Sequence, residues 1–240
     1  MNNNITIERL FNLQERCSIK NKELVTEKSA FVEECIELIC NRVIINEGFT
    51  EIEKSKFKVM HQFLDTALSS LINSYKMLLY GCPGDSLSLL RISFEATVFQ
   101  DYAVVFEDYE RVKNEVILNK RKQGVLTFEK ALGKLEKKER TTRGKLFGLL
   151  SALGSHLTSN RMHYNYFMIK GKTYPITSHA ILDKAILEEV ISIQMQIALY
   201  MVNVLSDFYR KNKPEAVDRE FFSQSDLLKK KYDKYIISIG

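Results

Sequence analysis

Two residues near the middle of the chain have the type and spacing to act together chemically. Arg91 and Glu95 lie four positions apart in a long, mostly apolar stretch, so on a helix they share one face. Burying a charge without a partner costs roughly several kcal/mol, so burial of this face requires both charges to be matched. The pattern predicts either a structural ion pair that sets how the helices pack, or part of a polar site lined by neighbouring helices.

Histidine is the second candidate for chemistry, because its pKa lies near neutral pH and it can act as a general acid or base. His156 stands where a predicted helix gives way to an irregular polar segment, a position where sites are often built. His61 has Asp65 four positions later, which fits a metal pair but is more common as an ordinary helix-surface contact. Neither Glu-x-x-His nor His-Glu-x-x-His occurs, so we predict no metal site.

The chain carries one marked charge asymmetry. Between Lys120 and Lys145 there are ten Lys or Arg residues and three Glu. Such a run is either a solvated helix face or an electrostatic footprint for phosphates. The candidate substrate-binding residues in and around it are Tyr102, Arg143, Lys145, Asn160, Arg161 and His163.

Several enzyme classes are excluded by missing motifs. GxGxxG and GxxxxGK[ST] do not occur, so the chain has no dinucleotide or P-loop fingerprint; GxSxG is missing too, and we predict no cofactor. The four cysteines form no CxxC, which argues against a zinc site or a disulfide framework. The N-terminus does not resemble a signal peptide, and Arg91, Glu95 and Asp101 interrupt the stretch long enough to span a membrane. We therefore predict a cytoplasmic protein without a membrane span.

Composition favours an all-α fold. The chain has 240 residues with three prolines, ten glycines, a formal charge of +5 and no long Gly/Ser or Pro linker. This predicts a single helical domain over residues 1–240, built as an antiparallel bundle around long central helices. The mildly basic charge permits an anionic partner without requiring one.

The central helices are predicted from their apolar spacing and their caps. Thr50 to Glu53 fits a capping box and opens a helix that stops at Gly81. After the Gly81 to Gly84 turn, Asp85 is the predicted N-cap of the central helix, which starts at Ser86 and runs to Tyr109. The short turn makes the two helices antiparallel neighbours.

The remaining elements are predicted less regularly along the chain. Residues 1–47 are predicted to form N-terminal helices, the second of which starts at Thr26 with Gly48 as the residue that follows its end. These helices belong to the bundle, lie at its periphery or swap onto another subunit. A small β-hairpin is plausible near 164–176. The last long helix begins at Ser178 or His179 and ends before Pro214, and residues 214–240 contain a basic helix from about Ser225.

Two short motifs resemble those of a known group of proteins. LLRxxxE is formed by Leu89, Leu90, Arg91 and Glu95 after a breaker turn, and LSxxxxH by Leu150, Ser151 and His156. With the hairpin and the last long helix, this arrangement over about 57–209 is similar to HEPN-like helical bundles.

The resemblance implies a function and a set of residues. HEPN proteins are commonly RNases or nucleotide-binding partners in toxin–antitoxin and phage-defence systems, and act as dimers that bring together two Arg-x4-6-His motifs. No arginine here is followed by histidine at that spacing. The resemblance therefore implies a composite site in which His156 is the base, Arg91 offsets phosphate charge and Glu95 orients Arg91.

Three functions stay open. The first is a HEPN-like RNA- or nucleotide-binding homodimer, as a binder only or as a metal-independent ribonuclease. The second is a non-catalytic interaction or dimerisation module, which needs an exposed apolar stripe; the candidates are Phe31, Val32 and Ile36, or the helix from Ile193 to Phe208. The third is a small-molecule-binding bundle with an internal pocket lined by Arg91, Tyr102 and His156.

Overall fold

The computed structural model describes residues 7–42, 49–118, 126–139, 143–151, 166–169, 172–175 and 181–237. The chain forms an all-α helical bundle, as predicted. Its helices are α1 Ile7–Leu24, α2 Thr26–Asn41, α3 Glu51–Leu79, α4 Pro83–Phe106, α5 Tyr109–Val112, α6 Phe128–Glu139, α7 Arg143–Leu150, α8 Lys184–Asn212 and α9 Arg219–Ile237. A π-helical turn, Lys113–Ile117, extends α5, and a 3-10 turn, Pro214–Ala216, joins α8 to α9.

Two strands pair at the position predicted for the hairpin. They are β1 Tyr166–Ile169 and β2 Lys172–Pro175, which run antiparallel with Tyr166 opposite Pro175 and Ile169 opposite Lys172. Pro175 lies at the end of its strand, where the missing N–H of proline costs the ladder least.

The turn between α3 and α4 differs from its prediction in one respect. The capping box at Thr50 is present: the Thr50 N–H donates to the Glu53 carboxylate at 2.7 Å, and the Thr50 hydroxyl accepts from the Glu53 N–H. However, α4 begins at Pro83 after Cys82, not at Ser86 after Asp85. Proline suits the first helical position because it lacks the N–H that would be left unbonded there. Asp85 therefore lies inside the first turn, near the positive end of the helix dipole.

The central helix also ends earlier than predicted. α4 stops at Phe106, not at Tyr109, because Glu107 adopts a left-handed conformation with φ of 54°. Left-handed residues commonly terminate helices by redirecting the chain. The chain resumes as α5 at Tyr109 after this break.

Hydrogen bonds between side chains and backbone set the direction of α4 against α3. The Ser74 hydroxyl donates to the Ser86 carbonyl at 2.9 Å near one end, and Gln100 Nε2 donates to the Met60 carbonyl at 2.9 Å near the other. The two helices are therefore antiparallel over nearly their whole length.

α8 completes the central group of three helices. Gln194 Nε2 donates to the Ser74 hydroxyl at 3.0 Å, and Phe208 contacts Phe57 with ring centroids 4.8 Å apart, so α8 runs antiparallel to α3. It is parallel to α4, since Gln194 also donates to the Ser86 hydroxyl at 3.1 Å, while further along α8 Lys211 Nζ reaches the Val104 carbonyl.

The N-terminal and C-terminal helices pack on the side of α8. Phe31 of α2 is fully buried and contacts Tyr232 of α9 at 5.8 Å between ring centroids. Phe221 of α9 packs edge-on against Tyr209 of α8 at 5.7 Å. α2 thus packs inside the bundle of its own chain, whereas α1 lies further out and contributes few buried side chains.

Three helix ends differ from the prediction. α2 ends at Asn41, because Arg42 is extended, and residues 43–48 up to the predicted end at Gly48 lie outside the described residues. α8 begins at Lys184, since the Asp183 carboxylate accepts the Ala185 N–H at 2.8 Å as an N-cap. α9 begins at Arg219, six residues before the predicted start at Ser225, and buries Phe221 in its first turns.

One described helix, α8, is long and apolar enough to cross a membrane by length and composition alone. Core helices of bundles have the same composition, and 61% of its most apolar window is buried inside the protein.

Candidate functional site

The Arg91 and Glu95 side chains bond to each other as predicted. Arg91 Nε donates to Glu95 Oε1 at 2.8 Å, within one turn of α4. The pair does not lie in the core: its side chains are 28% and 33% exposed. The reason is the orientation of α4, whose solvent-facing strip contains Ile92 at 47% exposure, with the pair beside it. A half-exposed pair of this spacing stabilises a helix by about 0.3–0.5 kcal/mol.

Aromatic side chains lie beneath the pair and join three helices. The Arg91 guanidinium is 5.2 Å from the ring centroid of Phe147 on α7. Phe147 contacts Phe128 of α6 at 4.4 Å, and Phe128 in turn contacts Phe94 of α4 at 6.1 Å. The first turns of α6 and the second half of α7 therefore cover α4 next to Arg91.

Part of the basic run has a structural role. Lys138 Nζ donates to the Val105 carbonyl at 2.8 Å, and Lys134 Nζ donates to the Tyr102 hydroxyl at 3.3 Å. Both lysines also lie over the Phe106 ring. The last turn of α4 has unbonded carbonyls and the negative end of the helix dipole, so cations are favoured there.

Other basic residues face solvent. Lys137 and Lys145 are exposed, while Arg143 is the first residue of α7. Glu136 is one of the three Glu residues that lower the positive charge of the run. Its role is structural, because its carboxylate accepts the Gly144 N–H at 2.6 Å. A Cβ at position 144 would come within 3.1 Å of that carboxylate, so glycine suits this contact.

Tyr102 does not lie where a substrate could reach it. Its side chain is 1% exposed and packs against Phe106 at 4.8 Å between ring centroids. With its hydroxyl bonded to Lys134, the ring serves the packing of α6 on α4. In the structure Tyr102 therefore joins α6 to α4.

The remaining predicted site residues fall in parts of the chain that are not described. His156, Asn160, Arg161 and His163 all lie between the end of α7 and β1, outside the described residues. Among the residues that are described, no group of three His, Cys, Asp or Glu side chains could hold a metal ion.

Most residues of the apolar stripes predicted for an interaction module are buried within the chain, and Ile36 is partly buried against the core. Phe31 and Val32 are fully buried, and so are Ile197, Met201 and Phe208 on α8. Hydrophobic spacing does not distinguish a face that packs within the chain from one that binds a partner. The large apolar side chains that do lie exposed in the described residues are Phe11, Leu13, Ile19, Leu24, Ile52, Ile92, Leu118, Leu149, Ile181 and Leu227.

Sequence reasoning missed a polar stripe along the buried side of α4. Ser86, Ser93, Thr97 and Gln100 are fully buried in a helix otherwise surrounded by apolar side chains. Their spacing of three, four and seven residues places them on one face, and this signal was present in the sequence. Gln194 of α8 donates to Ser86, so the stripe aligns α3, α4 and α8.

His61 of α3 is a partly buried titratable group, and it should make folding stability depend on pH. Burial, and to a smaller degree the nearby Arg42 guanidinium, lowers the pKa of His61, while Asp65 opposes the shift. In the unfolded chain His61 binds a proton near pH 6.5, but in the folded protein it does so only at lower pH. Stability should therefore fall as pH drops through 6.5, by at most about 1.4 kcal/mol per pH unit, and level off below the folded pKa.

Chemical denaturation between pH 7.5 and 5 checks this expectation. The His61→Gln variant cannot take up the proton, so its stability should decline less steeply than that of the wild type over this range. Carboxylates titrate in both proteins and cancel in the comparison. Parallel curves for the two proteins would show that His61 does not contribute.

Comparison of the chain with protein-family models finds no match, and comparisons with curated proteins and with solved structures find none either.

Proposed function

We propose that the protein is a HEPN-like RNA- or nucleotide-binding protein that acts as a cytoplasmic homodimer, with Arg91, Glu95 and His156 forming a metal-independent ribonuclease site. The observation that carries the proposal is the contact of Arg91 with Phe147. It brings the predicted cation against α7, the helix whose sequence leads to His156 five residues after Ser151. Lys137 and Lys145, exposed on α6 and α7, supply positive charge on the two helices that cover α4.

The chemistry assigned to these residues follows from what RNA cleavage requires. A base takes the proton from the 2′-hydroxyl, whose oxygen attacks the adjacent phosphorus to form a 2′,3′-cyclic phosphate, while the 5′-oxygen leaves and takes a proton from water. His156 is the proposed base. Arg91 is the proposed cation that offsets the charge on the phosphate oxygens in the transition state, and its 2.8 Å bond to Glu95 holds it in place.

RNA retention and cleavage in metal-free buffer test the proposal. With labelled single-stranded and structured RNA, His156→Ala should retain binding but cleave about 100- to 10,000-fold more slowly, the usual contribution of a general base. Arg91→Ala should weaken both, and it should fold normally because the half-exposed ion pair stabilises little. Cleavage unchanged in His156→Ala would exclude the ribonuclease, and RNA neither bound nor cut by wild type would exclude the whole proposal.

The salt dependence of RNA binding tests the basic helices separately. Each phosphate contact to single-stranded RNA contributes about 0.7 to the slope of log K against log salt, so Lys137→Ala with Lys145→Ala should reduce that slope by about 1.4. Lys58→Ala with Lys76→Ala on α3 is the matched control, because both lysines are exposed and the charge change is the same. An equal effect of the two double variants would mean that RNA does not bind at α6 and α7.

The two alternative functions have less support. The interaction module is less favoured, since most residues of its predicted stripes are buried and Ile36 is partly buried. The small-molecule pocket would have to admit a ligand beside Tyr102, whose ring is buried and whose hydroxyl is bonded.

A further inference from the structure

A groove opens between α2 and α9, helices that take no part in the proposed RNA site. Its volume is about 490 Å³, within the range of about 300–1,000 Å³ usual for ligand sites. α2 and α9 form its two walls and run antiparallel, because Phe31 near the start of α2 contacts Tyr235 near the end of α9. A channel between two helices has the shape in which a third helix packs.

Apolar side chains from both helices line the groove. Leu38 from α2 and Phe221 and Leu228 from α9 are buried with their surfaces towards it. Leu227 also lines the groove and is 64% exposed. An occupant with apolar side chains would cover Leu227 and remove it from water.

The rim of the groove is acidic in a protein whose formal charge is +5. Four carboxylates line it, those of Glu34, Glu37, Asp218 and Glu220. Glu34 is paired with Lys231 at 2.6 Å, and Asp218 accepts the Glu220 N–H at 3.0 Å. Glu37 and Glu220 are exposed on opposite walls.

Arg42 is the one cation among the described residues that line the groove, and its bonds to Ile39 and Tyr209 go to neutral groups, not to the rim carboxylates. Arg42 donates through Nη1 to the Ile39 carbonyl and through Nε to the Tyr209 hydroxyl at 3.1 Å. Four carboxylates face two cations, Arg42 and the Lys231 that pairs with Glu34, so the groove combines apolar side chains with a net negative charge. This is the complement of a helix with leucine-like residues on one face and lysine or arginine along its sides.

From this complementarity we infer that the α2–α9 groove binds a cationic amphipathic helix of a partner protein. The apolar face of that helix lies on Leu38, Phe221 and Leu228 and covers Leu227. Its basic residues pair with Glu37 on one side and Glu220 on the other. This surface is separate from the RNA site, so either one can fail without the other.

A model peptide tests the inference on the full-length protein. The probe is a labelled helix of Leu and Lys, about 18 residues or roughly five turns long, followed by fluorescence anisotropy at about 0.15 M salt. Wild type should bind this peptide. It should bind a second peptide, with Glu in place of every Lys, at least about 100-fold more weakly, because like charges repel across an interface. Glu37→Lys with Glu220→Lys should weaken binding at least about tenfold, and Leu227→Ser about threefold to tenfold.

Glu23→Lys with Glu189→Lys is the control, since both residues are exposed and the net charge changes equally. It should change peptide affinity by less than about twofold, because exposed charges at a distance are screened by salt. Equal weakening by both charge-reversed pairs, or equal binding of the Lys and Glu peptides, would overturn the inference. One further result would overturn it: the wild type fails to bind the peptide but self-associates, and Glu37→Lys with Glu220→Lys abolishes the self-association. The groove would then hold a second copy of the chain.

Discussion

Replacing Phe208 with alanine is expected to lower the free energy of unfolding by about 3–5 kcal/mol, the largest effect of any single change considered. Phe208 is fully buried where α3, α5 and α8 meet. Its ring centroid lies 4.8 Å from that of Phe57, 5.4 Å from Tyr209 and 6.1 Å from Tyr109. Alanine would lose these contacts and leave a cavity. The three neighbouring rings belong to α3, α5 and α8, so they cannot all move in to fill it.

Phe11 provides the matched control for this measurement. It is also a phenylalanine in a helix, but its side chain is 63% exposed on α1. Phe11→Ala should change stability by no more than about 0.5 kcal/mol. Denaturant unfolding of both variants measures the difference, and a loss below about 1 kcal/mol for Phe208→Ala would contradict the burial described for this ring.

Replacing Asn21 with leucine is expected to cost about 2–5 kcal/mol, because it removes the partners of two buried backbone groups. Asn21 is fully buried on α1. Its Nδ2 donates to the Leu79 carbonyl at 2.8 Å, and its Oδ1 accepts the Leu182 N–H at 2.9 Å. One side chain thus bonds the end of α3 and the segment before α8, and leucine would leave both groups buried without a bond.

Two further variants show whether those hydrogen bonds cause the loss. Asn12→Leu makes the same change at an exposed position of the same helix and should alter stability by less than about 0.5 kcal/mol. Asn21→Asp keeps the acceptor for Leu182 but places a carboxylate against the Leu79 carbonyl, so it should also destabilise the protein. Thermal or denaturant unfolding compares them, and equal stability of Asn21→Leu and Asn12→Leu would show that the two bonds contribute nothing.

Much of the bundle follows from patterns that can be read in the sequence. α3, α4 and α8 are long, their apolar residues recur every three or four positions, and breakers or caps mark their ends. The Thr50 capping box is a local interaction among four residues, so the sequence alone predicts it correctly. Helix existence depends on such local and periodic signals, which explains why the fold class is confirmed.

The exact ends of helices are harder to predict, because neighbouring residues offer competing start and stop signals. Near α4, both Asp85 and Pro83 are acceptable starting signals, and Pro83 is the one used. At its other end Glu107, which is not a residue typical of left-handed conformations, stops the helix. The starts of α4 and α8 follow local preferences, for proline at the first position and for an Asp N-cap, whereas the end of α4 at Glu107 does not.

The candidate site was predictable in its bonding but not in its location. The spacing of Arg91 and Glu95 is enough to predict their ion pair, because residues four apart on a helix are neighbours. Whether the pair is buried depends on how α4 is rotated against α6 and α7, which is set by packing among distant residues. Asn21 shows the same limit, since its bond to Leu182 joins residues that no local pattern connects.

The bond between Asn21 and Leu182 also bears on how the chain is made. Its two residues are 161 positions apart, and the contact of Lys28 with Glu188 spans 160. Translation proceeds at about 5–20 residues per second, so α1 and α2 leave the ribosome about 8–30 s before their α8 partners are synthesised. The α3 and α4 pair closes locally across a short turn and needs no such delay. The apolar faces of the N-terminal helices that pack on α8 therefore stay exposed until α8 has been synthesised. The bundle is completed only when this C-terminal part of the chain is available.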